Sequence, residues 1–312
     1  MSITILARRA VRVGLAAALA LTGVLLSNSP AEAAVVPPVL VGLDGTTGRI
    51  ALFSSATGKV VTYLTPASRY DEGLPTYTWG RTSVLFVRNS NGTLPQFWGT
   101  FLVPAAGGTA TQIITAPYGG AQPIASGPKG SFAGNLGQVA TKGIEVTNAA
   151  KHKVVIYGTR DTPDDALAWS PDGVHLAVGT IRTTAANAGV HIVDTRLAGP
   201  SIGLGAMLAC PTTLTGCSLR GAGYARDGSL YTVAVKGTAA YLARVAPGTK
   251  VPRVVVRLPG TALTYRVFVS PSGAVLTQAE TWTGPGTRSA FVAVWNGATL
   301  RRLPATILEP AW

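Results

Sequence analysis

From about residue 34 onward, apolar positions come in short runs separated by Gly, Pro, Asn and Asp, a spacing that predicts β-strands joined by tight turns. The clearest unit is ALAWSPDGVHLAV, Ala166 to Val178. A strand is predicted to end at Trp169, Pro171-Asp172-Gly173 to form the turn, and a second apolar strand to begin directly after it. Proline presets φ at the second turn position, aspartate bonds the local backbone, and glycine accepts the positive φ that closes the hairpin.

The same layout recurs at WGRTSVLFV (Trp79 to Val87), SGPKGSFAG (Ser126 to Gly134), YARDGSLYTVAV (Tyr224 to Val235) and VSPSGAVLTQ (Val269 to Gln278). Aligning Ser83, Gly130, Gly173, Gly228 and Gly273 as turn-closing residues gives spacings of 47, 43, 55 and 45. The long interval contains the segment CPTTLTGC, read as an insertion tied off at its base. Each unit continues with two more strand-like runs, as in FWGTFLVPAAGGTATQII, VHIVDTRLAG and AFVAVWNGATLRRL. Four strands every 45 residues or so make one blade of a β-propeller. The aromatics at the turns are expected to pack between blades, and Asp172 and Asp227 to shape the turns.

The unit WSPDG followed by an apolar strand, Trp169 to Gly173, resembles the repeat of TolB-like propellers, and similar repeats form the propeller of prolyl-oligopeptidase-type enzymes. The Trp79 copy departs from the pattern by lacking Pro, Asp and Gly, and the Ser126 copy by lacking the aromatic. The resemblance extends over nearly all of residues 34–312. In that family such propellers dock envelope proteins and peptides, so the resemblance implies a binding module.

The two ends complement each other. Leu308-Glu309-Pro310-Ala311-Trp312 reads as the first strand of a unit cut off after its Trp, whereas PPVLVGLDGTTGRIALFSSATGKVVTYLT supplies three strands and lacks a first. Joined, they make one blade and remove the open sheet edges. Residues 34–312 divided by six give 46.5 per blade. The expected fold is all-β: a single six-bladed β-propeller of four-stranded antiparallel blades, closed by the C-terminal strand joining the N-terminal blade.

Arg8, Arg9 and Arg12 precede the apolar run Val13 to Leu26, and Ala31-Glu32-Ala33 presents small residues where a signal peptidase cuts. Residues 1–33 are therefore read as a cleavable secretory signal, too short in its apolar core to remain as a transmembrane anchor. Export places the domain in the periplasm, the cell envelope or the medium. Cys210 and Cys217, the two cysteines of the chain, are expected to form a disulfide in that oxidising setting.

Charged residues make up only 12% of the 312 residues, against about 25% in typical globular chains, which argues against a charged disordered chain or a helical bundle. Residues 34–312 still carry 23 Lys and Arg against 12 Asp and Glu. A field of that sign favours anionic partners. The bases are dispersed and do not alternate with aromatics along a stripe, so nucleic acid is not expected.

Enzyme motifs are sparse. Gly199-Pro200-Ser201-Ile202-Gly203 matches a nucleophile elbow in letters, yet His152, His175 and His191 all precede the serine, the reverse of the α/β-hydrolase order. No shared metal site is expected of these histidines, and Asp161, Asp164 and Asp165 lack the bidentate Glu that a calcium loop supplies. No cofactor is expected.

Function in propellers concentrates in loops on a rigid scaffold. The loops leading into each predicted first strand contain Arg69, Tyr70, Asp71, Glu72, Tyr118, Arg160, Asp161, Asp164, Asp165, Arg220, Tyr265 and Arg266, which are taken as candidate binding residues at one channel mouth. The favoured reading is an exported, non-catalytic, monomeric module that binds an envelope protein or peptide. The alternatives are a secreted hydrolase or lyase acting on glycans or lactones, and a basic adhesin held by an anionic wall polymer.

Overall fold

The computed structural model describes residues 39–67, 72–89, 98–116, 124–135, 144–147, 153–157, 167–180, 189–196, 201–260, 264–284, 287–304 and 306–312. The predicted signal segment 1–33 lies outside them. Six separate sheets follow one another along the chain as the blades of a six-bladed propeller.

Blade 1 has β1 (Val39–Asp44), β2 (Arg49–Ser54) and β3 (Val60–Tyr63). Blade 2 has β4 (Glu72–Tyr77), β5 (Ser83–Asn89), β6 (Trp98–Pro104) and β7 (Thr111–Ala116). Blade 3 has β8 (Ile124–Ser126), β9 (Phe132–Asn135), β10 (Ile144–Thr147) and β11 (Lys153–Tyr157). Blade 4 has β12 (Leu167–Trp169), β13 (His175–Thr180) and β14 (Gly189–Asp194), followed by β15 (Ser201–Gly203) and β16 (Ala206–Met207). Blade 5 has β17 (Ser218–Tyr224), β18 (Leu230–Lys236), β19 (Ala239–Val245) and β20 (Arg253–Arg257). Blade 6 has β21 (Thr264–Val269), β22 (Val275–Gly284), β23 (Thr287–Trp295) and β24 (Leu300–Leu303).

The last strand, β25 (Ile307–Ala311), pairs antiparallel with β1 at Val41↔Ala311, Leu43↔Leu308 and Asp44↔Ile307. It thus completes blade 1, and the ring is closed by hydrogen bonds between the two ends of the domain. One blade departs from the four-stranded plan. β15 leaves blade 4 and adds to the edge of blade 3, running parallel to β11 with Val155↔Ser201 in register. Ser201 therefore starts an extended edge strand, not a strand-to-helix elbow.

The core lies between neighbouring blades. Leu40 and Phe53 of blade 1 cluster with Leu276 and Val292 of blade 6, and Ile50 of blade 1 clusters with Phe86 and Phe101 of blade 2. Trp169 joins Ile144 and Val146 of blade 3 to Leu176 and Val178 of blade 4. It is only 2% exposed, and its indole N–H donates to the Ala125 carbonyl of blade 3 at 3.2 Å. Among the described residues, such clusters join blades 1 and 2, 3 and 4, 4 and 5, 5 and 6, and 6 and 1.

The hairpins after the inner strands use the chemistry expected of them. Gly173, Gly228 and Gly273 have φ of 73°, 81° and 85°. The Asp172 carboxylate accepts the Val174 N–H at 2.9 Å, and that of Asp227 accepts the Ser229 N–H at 2.9 Å. Blade 2 corrects the alignment. Its Thr78 N–H donates to the Ser83 carbonyl and its Arg81 N–H to the Thr78 carbonyl, as Ser170 and Gly173 do with His175 and Ser170 in blade 4. Arg81 (φ 56°), rather than Ser83, occupies the glycine position. Tyr77, which is buried, is accordingly the counterpart of Trp169, and Trp79 is displaced into the turn, where it is 41% exposed. The expectation that Trp79 packs between blades fails for that reason.

Candidate functional site

The six inner strands β4, β8, β12, β17, β21 and β25 bring their C-terminal ends together around the central channel. Three of them carry the same irregularity. Leu74, Gly221 and Glu309 have φ of 52°, 68° and 47°, each lies three residues before the last aromatic of its strand or the residue after it, and each accompanies a register shift. The bulges bring adjacent inner strands close. The Glu309 carboxylate of blade 1 accepts the Leu74 N–H of blade 2 at 2.5 Å, and a Cβ on Gly221 would stand 2.6 Å from the Tyr265 carbonyl of blade 6.

Beyond this tight section the channel widens into a cavity of about 170 Å³. Its rings are Tyr77, Trp79, Trp169, Tyr224, Phe268 and Trp312, which come from five of the six blades. Its charges are Arg81, Arg226 and Arg266, and no carboxylate is among its described lining residues. Arg81 is held in place: its guanidinium lies 4.3 Å from the centre of the Tyr77 ring, and Nη2 donates to the Val39 carbonyl at 2.8 Å. Arg226 stands exposed on the turn after β17. The Trp79 backbone N–H donates to Ser126 Oγ at 3.1 Å.

Burial raises the Tyr77 phenol above its ordinary value, with Arg81 partly opposing the shift. The Tyr224 phenol is pushed up to about 12, first by burial and then by the negative charge of Asp172. Both hydroxyls keep their protons at neutral pH and are able to donate. Tyr224 and Arg226 also line a second cavity of about 570 Å³ between blades 4 and 5. That cavity is of mixed character, with Asp172, Asp227, His175 and Lys250 around apolar Met207, Leu208 and Val245.

The first cavity has the parts of a recognition site: aromatic faces that bury large areas, and cations that select acceptors. Its described lining holds no carboxylate or imidazole that would act as general acid or base. Tyr, Trp and Arg are also the side chains that dominate binding hot spots.

Of the candidates taken from the sequence, four fall among the described residues. Arg69, Tyr70, Asp71, Tyr118, Arg160, Asp161, Asp164 and Asp165 lie outside the described residues. Glu72 is buried and committed to the scaffold, accepting from Arg88 Nε at 2.8 Å and from the Thr65 hydroxyl at 2.5 Å. Tyr265 is 1% exposed in the core between blades 5 and 6, and its hydroxyl donates to the Gly260 carbonyl at 3.4 Å. Arg220 is half-buried at the start of β17, with Nε 3.2 Å from Ser218 Oγ. Of the four described candidates, Arg266 lines the cavity, as a buried side chain.

The sequence reading missed Trp79, Arg81, Tyr224, Arg226 and Trp312 as site residues, because it looked at the loops before the inner strands and this cavity lies at the opposite ends. Part of the signal was present in the aromatics Tyr77, Trp169 and Tyr224 that precede three of the hairpins. Cys210 and Cys217 are disulfide-bonded, with Cα atoms 5.8 Å apart, and close the loop that carries the short turn Thr212–Leu214.

No family model matches the sequence, and no curated protein matches it. Solved structures do. TolB from Acinetobacter baumannii is similar with a TM-score of 0.64 and 17% identity over 88% of this chain and 65% of that one. This chain thus spans less than two thirds of that TolB's length. A GH74 enzyme from Niastella koreensis is similar with a TM-score of 0.50 and 13% identity over 84% of this chain and 44% of that one. At such identities the likeness shows fold alone, and the fold it shows is a β-propeller like that of TolB.

Proposed function

We propose that the protein is an exported, non-catalytic propeller that binds an envelope protein or peptide at the mouth of its central channel. The observation that carries this reading is the cavity lined by six aromatic rings and three arginines with no carboxylate among its described lining residues. Residues 1–33 would act as the cleaved export signal, and the domain would work as a monomer outside the cytoplasmic membrane. The fold likeness to TolB supports the reading only as a scaffold.

The test is affinity capture from envelope and culture fractions over a salt series, using the natural chain and a Trp79→Ala/Arg226→Gln double variant. Both residues are exposed, so the variant should fold. A discrete protein retained by the natural chain and lost by the variant supports the proposal. Equal retention by both removes the site. Hydrolysis of a glycoside or lactone panel would favour the enzyme alternative, and salt-reversible binding to cell walls without a protein partner would favour the adhesin.

A further inference from the structure

We infer that the channel cavity recognises a carboxylate carried beside a single flat apolar group. The inference rests on the proposed binding role and names the chemistry that this site accepts. Three observations point to it.

The first is the one-sidedness of the strongest polar groups. A guanidinium offers N–H donors and no acceptor, and an indole offers one donor. Arg81, Arg226 and the indoles of Trp79 and Trp312 line the cavity, and no carboxylate is among its described lining residues. Arg226 has no hydrogen-bond or ion-pair partner among the described residues. With 23 Lys and Arg against 12 Asp and Glu in residues 34–312, the surrounding field also favours an anion.

The second is the indole of Trp312. Its counterpart Trp169 satisfies its N–H on the Ala125 carbonyl. The Trp312 Nε1, equally buried, has no acceptor among the described residues. A buried donor left unmade is costly, and a ligand oxygen that reached it after a small shift of the ring would relieve that cost.

The third is size. The cavity of about 170 Å³ is close to the roughly 150 Å³ that accommodates one benzene in an engineered protein core. Aromatic walls stack on or edge against a flat ring, while a guanidinium meets carboxylate oxygens in a two-pronged geometry. One ring and one carboxylate use both features.

The ligand group has two possible sources with the same chemistry: a free small aromatic acid, or the terminal carboxylate of a partner polypeptide ending in an aromatic residue. The test titrates the full chain with phenylacetate, phenylacetamide, and the peptide acetyl-Gly-Gly-Phe with a free or an amidated terminus. Calorimetry and tryptophan fluorescence are followed for the natural chain, Arg226→Gln and Trp312→Phe, with melting curves as fold controls. At least one acid should bind, its amide should bind about tenfold or more weakly, and Arg226→Gln should weaken the acid but not the amide. Binding by the peptide acid alone identifies a polypeptide terminus, and binding by phenylacetate alone identifies a free acid.

Equal affinity for acid and amide, or an unchanged affinity in Arg226→Gln, overturns the inference. So does the absence of binding by every carboxylate. In that last case, capture of a protein partner that still depends on Trp79 would leave the binding role standing and refute only the ligand chemistry.

Discussion

Truncating Ile307 to Ala tests whether the ring owes its stability to the strand that joins its ends. Ile307 is 0% exposed and packs among Leu40 and Phe53 of blade 1 and Leu276 and Val292 of blade 6. A Cβ built on Gly42 would stand 3.1 Å from its Cγ2, so the site is tightly filled. Ile307→Ala deletes three carbons, and at about 0.8 kcal/mol each the lost transfer energy is about 2.4 kcal/mol. The surrounding β-sheets relax only partly, so a cavity term brings the expected loss to about 3–4 kcal/mol. A chain of this size loses about 2 °C in melting temperature per kcal/mol, which predicts a fall of about 6–8 °C in thermal unfolding followed by circular dichroism. Val61→Ala is the control, since Val61 is 58% exposed on the outer strand β3 and should cost no more than about 0.5 kcal/mol. Coincident melting curves for the two variants would refute the closure argument, because a joining strand that could lose its buried anchor freely would not be holding the ring.

Three further outcomes are expected. Glu72→Ala removes the carboxylate partner of Arg88 from a buried pair, so urea unfolding should show a loss of about 3–5 kcal/mol, while partner capture per folded molecule stays the same. Lost capture with unchanged stability would return Glu72 to the binding site. Replacing both Cys210 and Cys217 by Ser opens a short loop, so stability should drop by about 2 kcal/mol with the far-ultraviolet spectrum preserved, and a collapsed spectrum would contradict a merely local role. Asp194 is held at about 2, below its ordinary 3.8, chiefly by the Arg196 side chain. A depressed carboxylate contributes stability that is complete above its unfolded value and lost as pH falls through its folded one. Melting temperatures between pH 4 and 2 should therefore fall less steeply in Asp194→Asn than in the natural chain, and parallel curves would sink the assignment.

The repeat was legible because its turns are written in local chemistry. Gly173, Gly228 and Gly273 adopt the positive φ that the hairpins require, and each was identifiable from a handful of neighbouring residues. Closure was legible too, since a strand ending in Trp at one end of the domain matched a missing strand at the other. Blade 2 misled the alignment because Arg81 holds a backbone conformation that glycine usually takes, and no local rule assigns it to an arginine. The parallel strand β15 was hidden for a different reason. It pairs across blades with β11, some 45 residues earlier, where spacing within a single repeat gives no information. Glu72 and Tyr265 looked like polar loop residues, and only the packing of blade against blade makes one a buried ion-pair partner and the other a core ring.

The site escaped for a reason that also says what it is. Most of its rings, Tyr77, Trp169, Tyr224 and Trp312 among them, sit where an inner strand ends and its blade meets a neighbour, so in sequence they carry a structural explanation and nothing else. In space they converge at the end of the channel, and the same position then has two fates. At Trp169 the indole N–H reaches a carbonyl of the preceding blade, and the residue is fully accounted for by packing. At Trp312 the ring is buried in the same way, yet its N–H has no acceptor among the described residues, and the cavity it lines also holds a turn arginine, Arg226, that lacks a partner there. A repeat fold duplicates its core positions with the core's donors attached. Wherever one copy leaves a donor unmatched at the axis, where all copies meet, the scaffold has a place that an outside acceptor stabilises.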